Sequence, residues 1–197
     1  MLFRSAVQAQ AETPMLFSQI RQPDSDYLAI PEVSSERRRY IPIGYMSRDV
    51  IASNKLYVVP DASLYSFGVL ISNVHMAWMR VVSGRMKSDY SYSPSVYNNF
   101  PWPTPTEEQK ARIEQTAQGI LDARALYPNS SLADLYDELT MPVELLKAHQ
   151  ANDRAVMQAY GFPVKPTFTE SQCVAELFKL YKEKTSSNII KKEFCNE

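Results

Sequence analysis

Glycine is scarce in this chain, and with it the chemistry that clustered glycines support. Five occur in 197 residues, at positions 44, 68, 84, 119 and 161. None lies near another. A phosphate-cradling loop or a dinucleotide fingerprint needs several together, because only then can backbone approach a phosphate closely. Cysteine and histidine are rarer still. Cys173, Cys195, His75 and His149 are far apart and offer no zinc-ligand spacing. So low a cysteine content suits a reducing compartment, and the expected location is cytoplasmic. No apolar run approaches the ~18 residues of a membrane span. The opening MLFRSAVQAQAE lacks the apolar core of a signal peptide. No G-x-S-x-G elbow is present, nor the Asn-Pro-Pro-aromatic loop that holds a flipped adenine for methylation. Carboxylate pairs such as Glu107–Glu108 fall at predicted helix N-termini, where the helix dipole accounts for them. No catalytic, cofactor-binding or metal-binding residue is expected, and the chain is not expected to be an enzyme by itself.

What is present is globular. Hydrophobic residues make up 45% and aromatics 11%, enough to build a core. The formal net charge is −1, which does not advertise a polyanion as partner. The average hides an asymmetry. Residues 1–103 carry 10 basic against 8 acidic side chains, and residues 104–197 carry 11 against 14.

The first sixty residues read as short strands between proline, aspartate and serine turns. The candidates are Met15–Ile20, Tyr27–Ile30, Tyr40–Tyr45 and Lys55–Val59. Pro42 marks Tyr40–Tyr45 as an edge strand or a bulge. Arg37, Arg38 and Arg39 stand in a row before it, as a solvated turn or as a phosphate-contacting edge. Leu64, Phe67, Ile71, Val74, Trp78 and Val81 then recur at steps of three and four. That spacing predicts one long helix from Leu64 to about Val82, capped by Ser63 and stopped by Gly84, with one apolar stripe. Ser66, Ser72, Asn73, His75 and Arg80 occupy its other face. His75 has no chemical partner at useful spacing and reads as a hydrogen-bonded structural histidine.

After the helix comes GRMKSDYSYS. Read as one extended strand, it places Arg85, Lys87, Asp89 and Ser91 on one face. Arginine and lysine can donate to guanine O6 and N7, and aspartate can accept from cytosine N4. A polar strand paired with its own carboxylate reads equally well. Phe100 and Trp102 anchor an exit fixed by Pro101, Pro103 and Pro105. From Thr104 the chain reads as helices. Thr106 with Gln109, or Thr104 with Glu107, caps a helix to about Leu126, with Pro105 suited to its first position. Ile113, Ala117, Ile120 and Leu121 point inward. A short helix Leu132–Leu139, one from Pro142 to Tyr160, and one from Thr169 to about Lys184 follow. Residues 186–197 lack periodicity and are expected to be disordered. The expected fold is α+β: a small β-rich domain with a long buried helix (1–103), then an all-α domain of about four helices (104–185).

Two long strings carry a resemblance. YIPIGYMSRDVIASNKLYVVPDASLYSFGVLISNVHMAWMRVVSGRMKSDYSYS, continued by VYNNFPWP, resembles the target-recognition domain of MmeI-like DNA methyltransferases. ILDARALYPNSSLADLYDELTMPVELLKAHQANDRAVMQAYGF resembles the helical domain that ends the same proteins. That family comprises type IIL restriction–modification enzymes, adenine-specific and dependent on S-adenosylmethionine, many fused to an endonuclease. The resemblance implies that the chain is the C-terminal piece of such an enzyme. Cofactor and catalytic loop would lie upstream, so the chain itself would bind no cofactor, and its partners would be double-stranded DNA and the catalytic methyltransferase domain. It also implies that the segment after the helix chooses bases, here Ser83, Arg85, Lys87 and Asp89. Tyr90, Arg80, Arg48 and Lys55 complete the expected DNA-binding set. A second reading stays open, in which the helices dock on a methyltransferase or nuclease core without DNA binding.

Overall fold

The computed structural model describes residues 22–194, with side chains to residue 186. The expected strand Met15–Ile20 lies outside the described residues. The fold is α+β. Six short strands precede or flank two central helices, and four helices end the chain.

Three strands form the first antiparallel sheet, in the order β3 (Gly44–Met46), β1 (Tyr27–Pro31), β4 (Leu56–Pro60). The central strand β1 is covered on both faces. Tyr27, Leu28, Ala29 and Ile30 are all buried, which is why this run shows no alternation. Tyr40–Ile43 does not join the sheet as expected. Pro42 has no N–H to offer a neighbour, and the Ile43 N–H turns back to the Ile41 carbonyl at 2.8 Å, a γ-turn around the proline. The strand starts only at Gly44. A second antiparallel sheet has the order β2 (Val33–Ser34), β6 (Asp89–Ser91), β5 (Gly84–Met86).

The expected single helix is two. The first, α1, spans Leu64–Leu70 with Ser63 as N-cap, its side chain accepting from the Ser66 N–H. The second, α2, spans Asn73–Val82. Ser72 makes the break: its backbone is extended, its hydroxyl donates to the Val69 carbonyl at 2.7 Å, and it accepts from the His75 N–H. A serine inside a helical pattern can compete in this way for backbone groups. The break turns α2 relative to the predicted stripe. Phe67, Ile71, Val74 and Trp78 are buried as expected, but Val81 is 54% exposed. On the side predicted to be polar, Ser72 and His75 are buried, with Met76, Ala77 and Met79 beside them. Gly84 is not the stop: Ser83 ends the helix with extended backbone, and Gly84 opens β5.

A short helix that the periodicity did not predict, α3 (Pro94–Asn98), precedes the aromatic exit. The reciprocal capping box of Thr106 and Gln109 then starts α4 (Glu107–Ala125). Pro105 therefore precedes the cap rather than opening the helix. The short α5 (Leu132–Leu135) ends four residues before Leu139. Helix α6 covers Val143–Ala159, and Gly161 follows it at φ +71°, the left-handed conformation that favours glycine. The last helix, α7, runs over Glu170–Phe194. It passes the expected end near Lys184, so residues 186–194, expected to be disordered, are helical backbone.

One continuous core joins the strands to the helices. Gly68 of α1 sits so close to α4 that a Cβ there would lie 2.7 Å from Ile113 Cγ2 and 3.1 Å from Ala117 Cβ. Trp78 of α2 packs against Phe178 and Tyr181 of α7, with ring centres at 5.2 and 5.9 Å. Its indole N–H donates to the Val96 carbonyl at 3.1 Å. Phe100, also buried, meets His75 edge-on at 4.9 Å. Polar links cross the same junction. The Tyr40 hydroxyl donates to Asp153 Oδ2 at 2.7 Å, the Asn73 N–H donates to Asp153 Oδ1 at 2.8 Å, and Asn152 Nδ2 donates to the Gly68 carbonyl at 2.7 Å. The Asp153 carboxylate thus faces the N-terminus of α2, where the dipole favours it. Burial nonetheless pushes its pKa up to about 6, against the hydrogen bonds that lower it.

Candidate nucleic-acid interface

The segment predicted to be one extended strand folds back on itself. Arg85 pairs with Tyr90 and Met86 with Asp89, which leaves Lys87 and Ser88 as a two-residue loop. Lys87 takes φ +58°. A positive φ at the first loop position matches the twist of a hairpin and normally calls for glycine. A side chain there costs roughly 1–2 kcal/mol.

The turn changes which residues share a face. Residues directly opposite in an antiparallel pair project to the same side. Arg85, Tyr90 and Ser34 therefore share one face, because Ser34 pairs with Tyr90. Met86, Asp89, Ser91 and Gly84 share the other. On the first face Tyr90 and Ser34 are buried while Arg85 is exposed; on the second Gly84 and Met86 are exposed while Asp89 and Ser91 are half-buried. Arg85 and Asp89, predicted on one face, stand on opposite faces. Lys87 lies at the exposed tip between them.

Arg85 is held in place. Its guanidinium carbon lies 3.9 Å from the centre of the Tyr90 ring. Nη1 donates to the Ser88 carbonyl at 2.8 Å and lies 3.8 Å from a Glu36 carboxylate oxygen. Glu36 in turn donates its backbone N–H to Asp89 Oδ1 at 3.3 Å. Sequence reasoning missed Glu36 because its partners lie about fifty positions away. Nothing local distinguishes it from any solvated glutamate.

The other expected residues divide. Ser83 caps α2, and its hydroxyl is buried without a hydrogen-bond partner among the described residues. Lys55 flanks the hairpin sheet, with Nζ 3.3 Å from Glu32, the residue just before β2. Arg48 sits at the other end of β1, its N–H on Asp26 Oδ1 at 3.3 Å. Those ends are on the order of 15 Å apart along a five-residue strand. Arg80 points away to α7, where Nη1 is hydrogen-bonded to the Glu170 carboxylate. The fold therefore gathers Arg85, Lys87, Asp89, Tyr90 and Lys55, and separates Arg48 and Arg80 from them.

Behind the hairpin, His75 Nε2 meets the Tyr92 hydroxyl at 3.1 Å. Burial lowers the His75 pKa to about 4 and raises that of Tyr92. Both are neutral near pH 7, and this pair is structural, as the sequence suggested. Among the described residues no group of three or more His, Cys, Asp or Glu could hold a metal ion.

The arrangement is a small β-rich unit that presents a polar hairpin and is braced from behind by a helical unit. Comparison with protein families shows what class this is. Residues 3–104 match the family description "MmeI, target recognition domain", and residues 105–189 match "MmeI, C-terminal domain". The chain belongs to the MmeI family and carries these two domains in that order. It is 40% identical over 176 residues to DNA methyltransferase A of Bacillus subtilis (strain 168), covering 89% of this chain and 20% of that protein. It is also similar to a solved structure of the type IIL restriction–modification enzyme MmeI in complex with DNA. The identity there is 53% and the TM-score 0.84, over 92% of this chain and 24% of the other. The chain thus spans about a fifth to a quarter of the length of these relatives.

Proposed function

We propose that this chain is the sequence-reading module of an S-adenosylmethionine-dependent, adenine-specific DNA methyltransferase of a restriction–modification system. The observation that carries the reading is Lys87 at φ +58° on the exposed tip of the hairpin. A position that favours glycine holds a long, exposed cation instead, two residues from the half-buried Asp89. Strain of this kind persists where the side chain is used. A two-stranded ribbon fits the major groove of B-DNA, where base edges are distinguishable. Lys87 is suited to donate to guanine O6 or N7, and Asp89 to accept from cytosine N4. The similarity to an enzyme solved with DNA supports the same reading.

Arg85 holds the ribbon in shape through Tyr90, Ser88 and Glu36, and Lys55 lies alongside. Methyl transfer, base flipping and S-adenosylmethionine belong to a catalytic domain elsewhere in the parent protein. The isolated glycines of this chain do not fit such a cofactor. No observation favours docking without DNA binding.

The test is binding of the full chain to a pool of random duplexes, followed by selection and sequencing of the bound fraction. Enrichment of one sequence in the parent, shifted in Lys87→Ala or Asp89→Ala by about 1–3 kcal/mol per base pair, is the expected result. An unenriched pool would overturn the reading.

A further inference from the structure

The three consecutive arginines turn out to occupy a shaped site. A cleft of about 450 Å³ lies between the β-rich and helical halves, lined by Arg37, Arg38, Arg39 and Arg80 and by the carboxylates of Glu36, Asp137 and Glu138. Arg80 is committed to Glu170. Arg37, Arg38 and Arg39 make no ion pair among the described residues, although Glu36 beside them contacts Arg85. Arg37 and Arg39 are exposed and Arg38 is half-buried.

The row is clamped at both ends. At one end, the Glu36 N–H is held by Asp89, and the Arg38 N–H closes a turn onto the Ser35 carbonyl at 3.1 Å. At the other, Tyr40 is locked by its hydrogen bond to Asp153 and stacks on His149 at 4.1 Å. Arg39 lies over the Tyr40 ring and near Asp153, whereas the backbone that carries Arg37 and Arg38, neither in an ion pair among the described residues, is fixed at either side, and little ordering remains to be done on binding. Guanidinium is planar, always charged and matched to phosphate oxygens in pairs. The row also follows β2 after two residues, Ser35 and Glu36, and β2 pairs with the hairpin strand β6. An anion in the cleft would therefore belong to the same ligand that the hairpin meets.

We propose that this cleft anchors the phosphodiester backbone of the duplex beside the bases read by the hairpin, with Arg37 and Arg38 as the phosphate-binding side chains. The proposal rests on the DNA-reading function above. Asp137 and Glu138 line the same cleft and oppose a phosphate there, so they offset part of the attraction of the arginines. Phosphate binding of this kind sets register and affinity and carries no sequence information.

The experiment measures affinity of the full chain for a labelled random-sequence duplex pool, by fluorescence anisotropy, between about 50 and 200 mM salt. The double variant Arg37→Gln/Arg38→Gln is expected to bind every duplex more weakly. Its log–log salt slope should be shallower by about 1.8, or about 0.9 for each phosphate that is no longer neutralised. The sequence enriched by selection should stay that of the parent. Arg37→Lys/Arg38→Lys should restore the slope, and Asp137→Asn/Glu138→Gln should bind more tightly than the parent at low salt. Thermal melts of all three establish that they fold. A Gln variant with the parent's slope, or a carboxylate variant that binds more weakly, overturns the anchor while leaving the reading function intact. A parent that binds no duplex at low salt overturns both.

Discussion

Across the hairpin, the guanidinium of Arg85 covers the ring of Tyr90, 3.9 Å from its centre. This one interaction tells the two faces of the ribbon apart. It lays the exposed cation over a buried aromatic ring, while the half-buried Asp89 stands on the other face with Met86. Arg85→Ala is expected to lose about 0.5–1 kcal/mol of folding stability, the range for a partly exposed cation over an aromatic ring. It should weaken binding to all duplexes alike without changing the selected sequence. Urea unfolding and duplex selection test the two parts, and a changed sequence preference would return Arg85 to the reading face.

Lys87 offers the cleaner dissection of fold from function. Lys87→Gly removes the cost of a side chain at φ +58°, so the variant should be more stable than the parent by about 1 kcal/mol. The same change should abolish the preference for one base. Gain of stability with loss of selectivity, read by urea titration and duplex selection, is the expected pair. Lower stability would mean that the lysine holds the turn rather than the DNA.

Gly68 is a packing requirement. Any Cβ would come within 2.7 Å of Ile113 Cγ2 and 3.0 Å of Asn152 Oδ1. Gly68→Ala should destabilise by about 1–3 kcal/mol, the range for overpacking a filled core. By contrast, a Cβ at Gly84 meets nothing closer than 3.8 Å, so Gly84→Ala should fold normally. Paired thermal melts that showed equal stability would refute the tight approach of α1 to α4.

The buried titrating groups pull stability in opposite directions with pH. Burial lowers His75 from 6.5 to about 4, and burial with nearby Arg124 and Arg39 lowers His149 as well. Between about pH 4 and 6.5 the unfolded chain holds more protons on these histidines, so they make stability rise with pH. Asp153 is raised from 3.8 to about 6. The folded chain then holds the extra proton, and this group makes stability fall as pH rises through the same window. The histidines outnumber it, so the parent should gain stability from pH 4 to 6.5. Asp153→Asn should gain it more steeply. Urea unfolding at pH 4, 5 and 6.5 decides, and a shallower rise in the variant would contradict the placement of Asp153.

Much of the fold was legible because it follows local rules. The Thr106–Gln109 capping box, the helix end near Tyr160 and the strand Tyr27–Ile30 each report on neighbours within a few residues. What failed did so for a physical reason. Ser72 fits a helix until its hydroxyl bonds to Val69, so one helix became two and the apolar stripe lost Val81. Residues 84–91 alternate as a strand should, but Lys87 at positive φ reverses the chain and moves Arg85 and Asp89 to opposite faces. The site was legible as a segment and not as a surface.

By itself the sequence determined composition, the order of the two units, most helix boundaries and the strings that resemble MmeI-like recognition and C-terminal domains. These depend on spacing, capping and residue identity, all of which act over short stretches. Only the tertiary structure decided which hairpin residues share a face and that Glu36 holds Arg85. It alone decided that Arg80 belongs to Glu170, and that Arg37 and Arg38 line a cleft without an ion pair among the described residues. Each of these relations joins residues distant in the chain, and faces and pairings of that kind exist only once the core has brought the segments together.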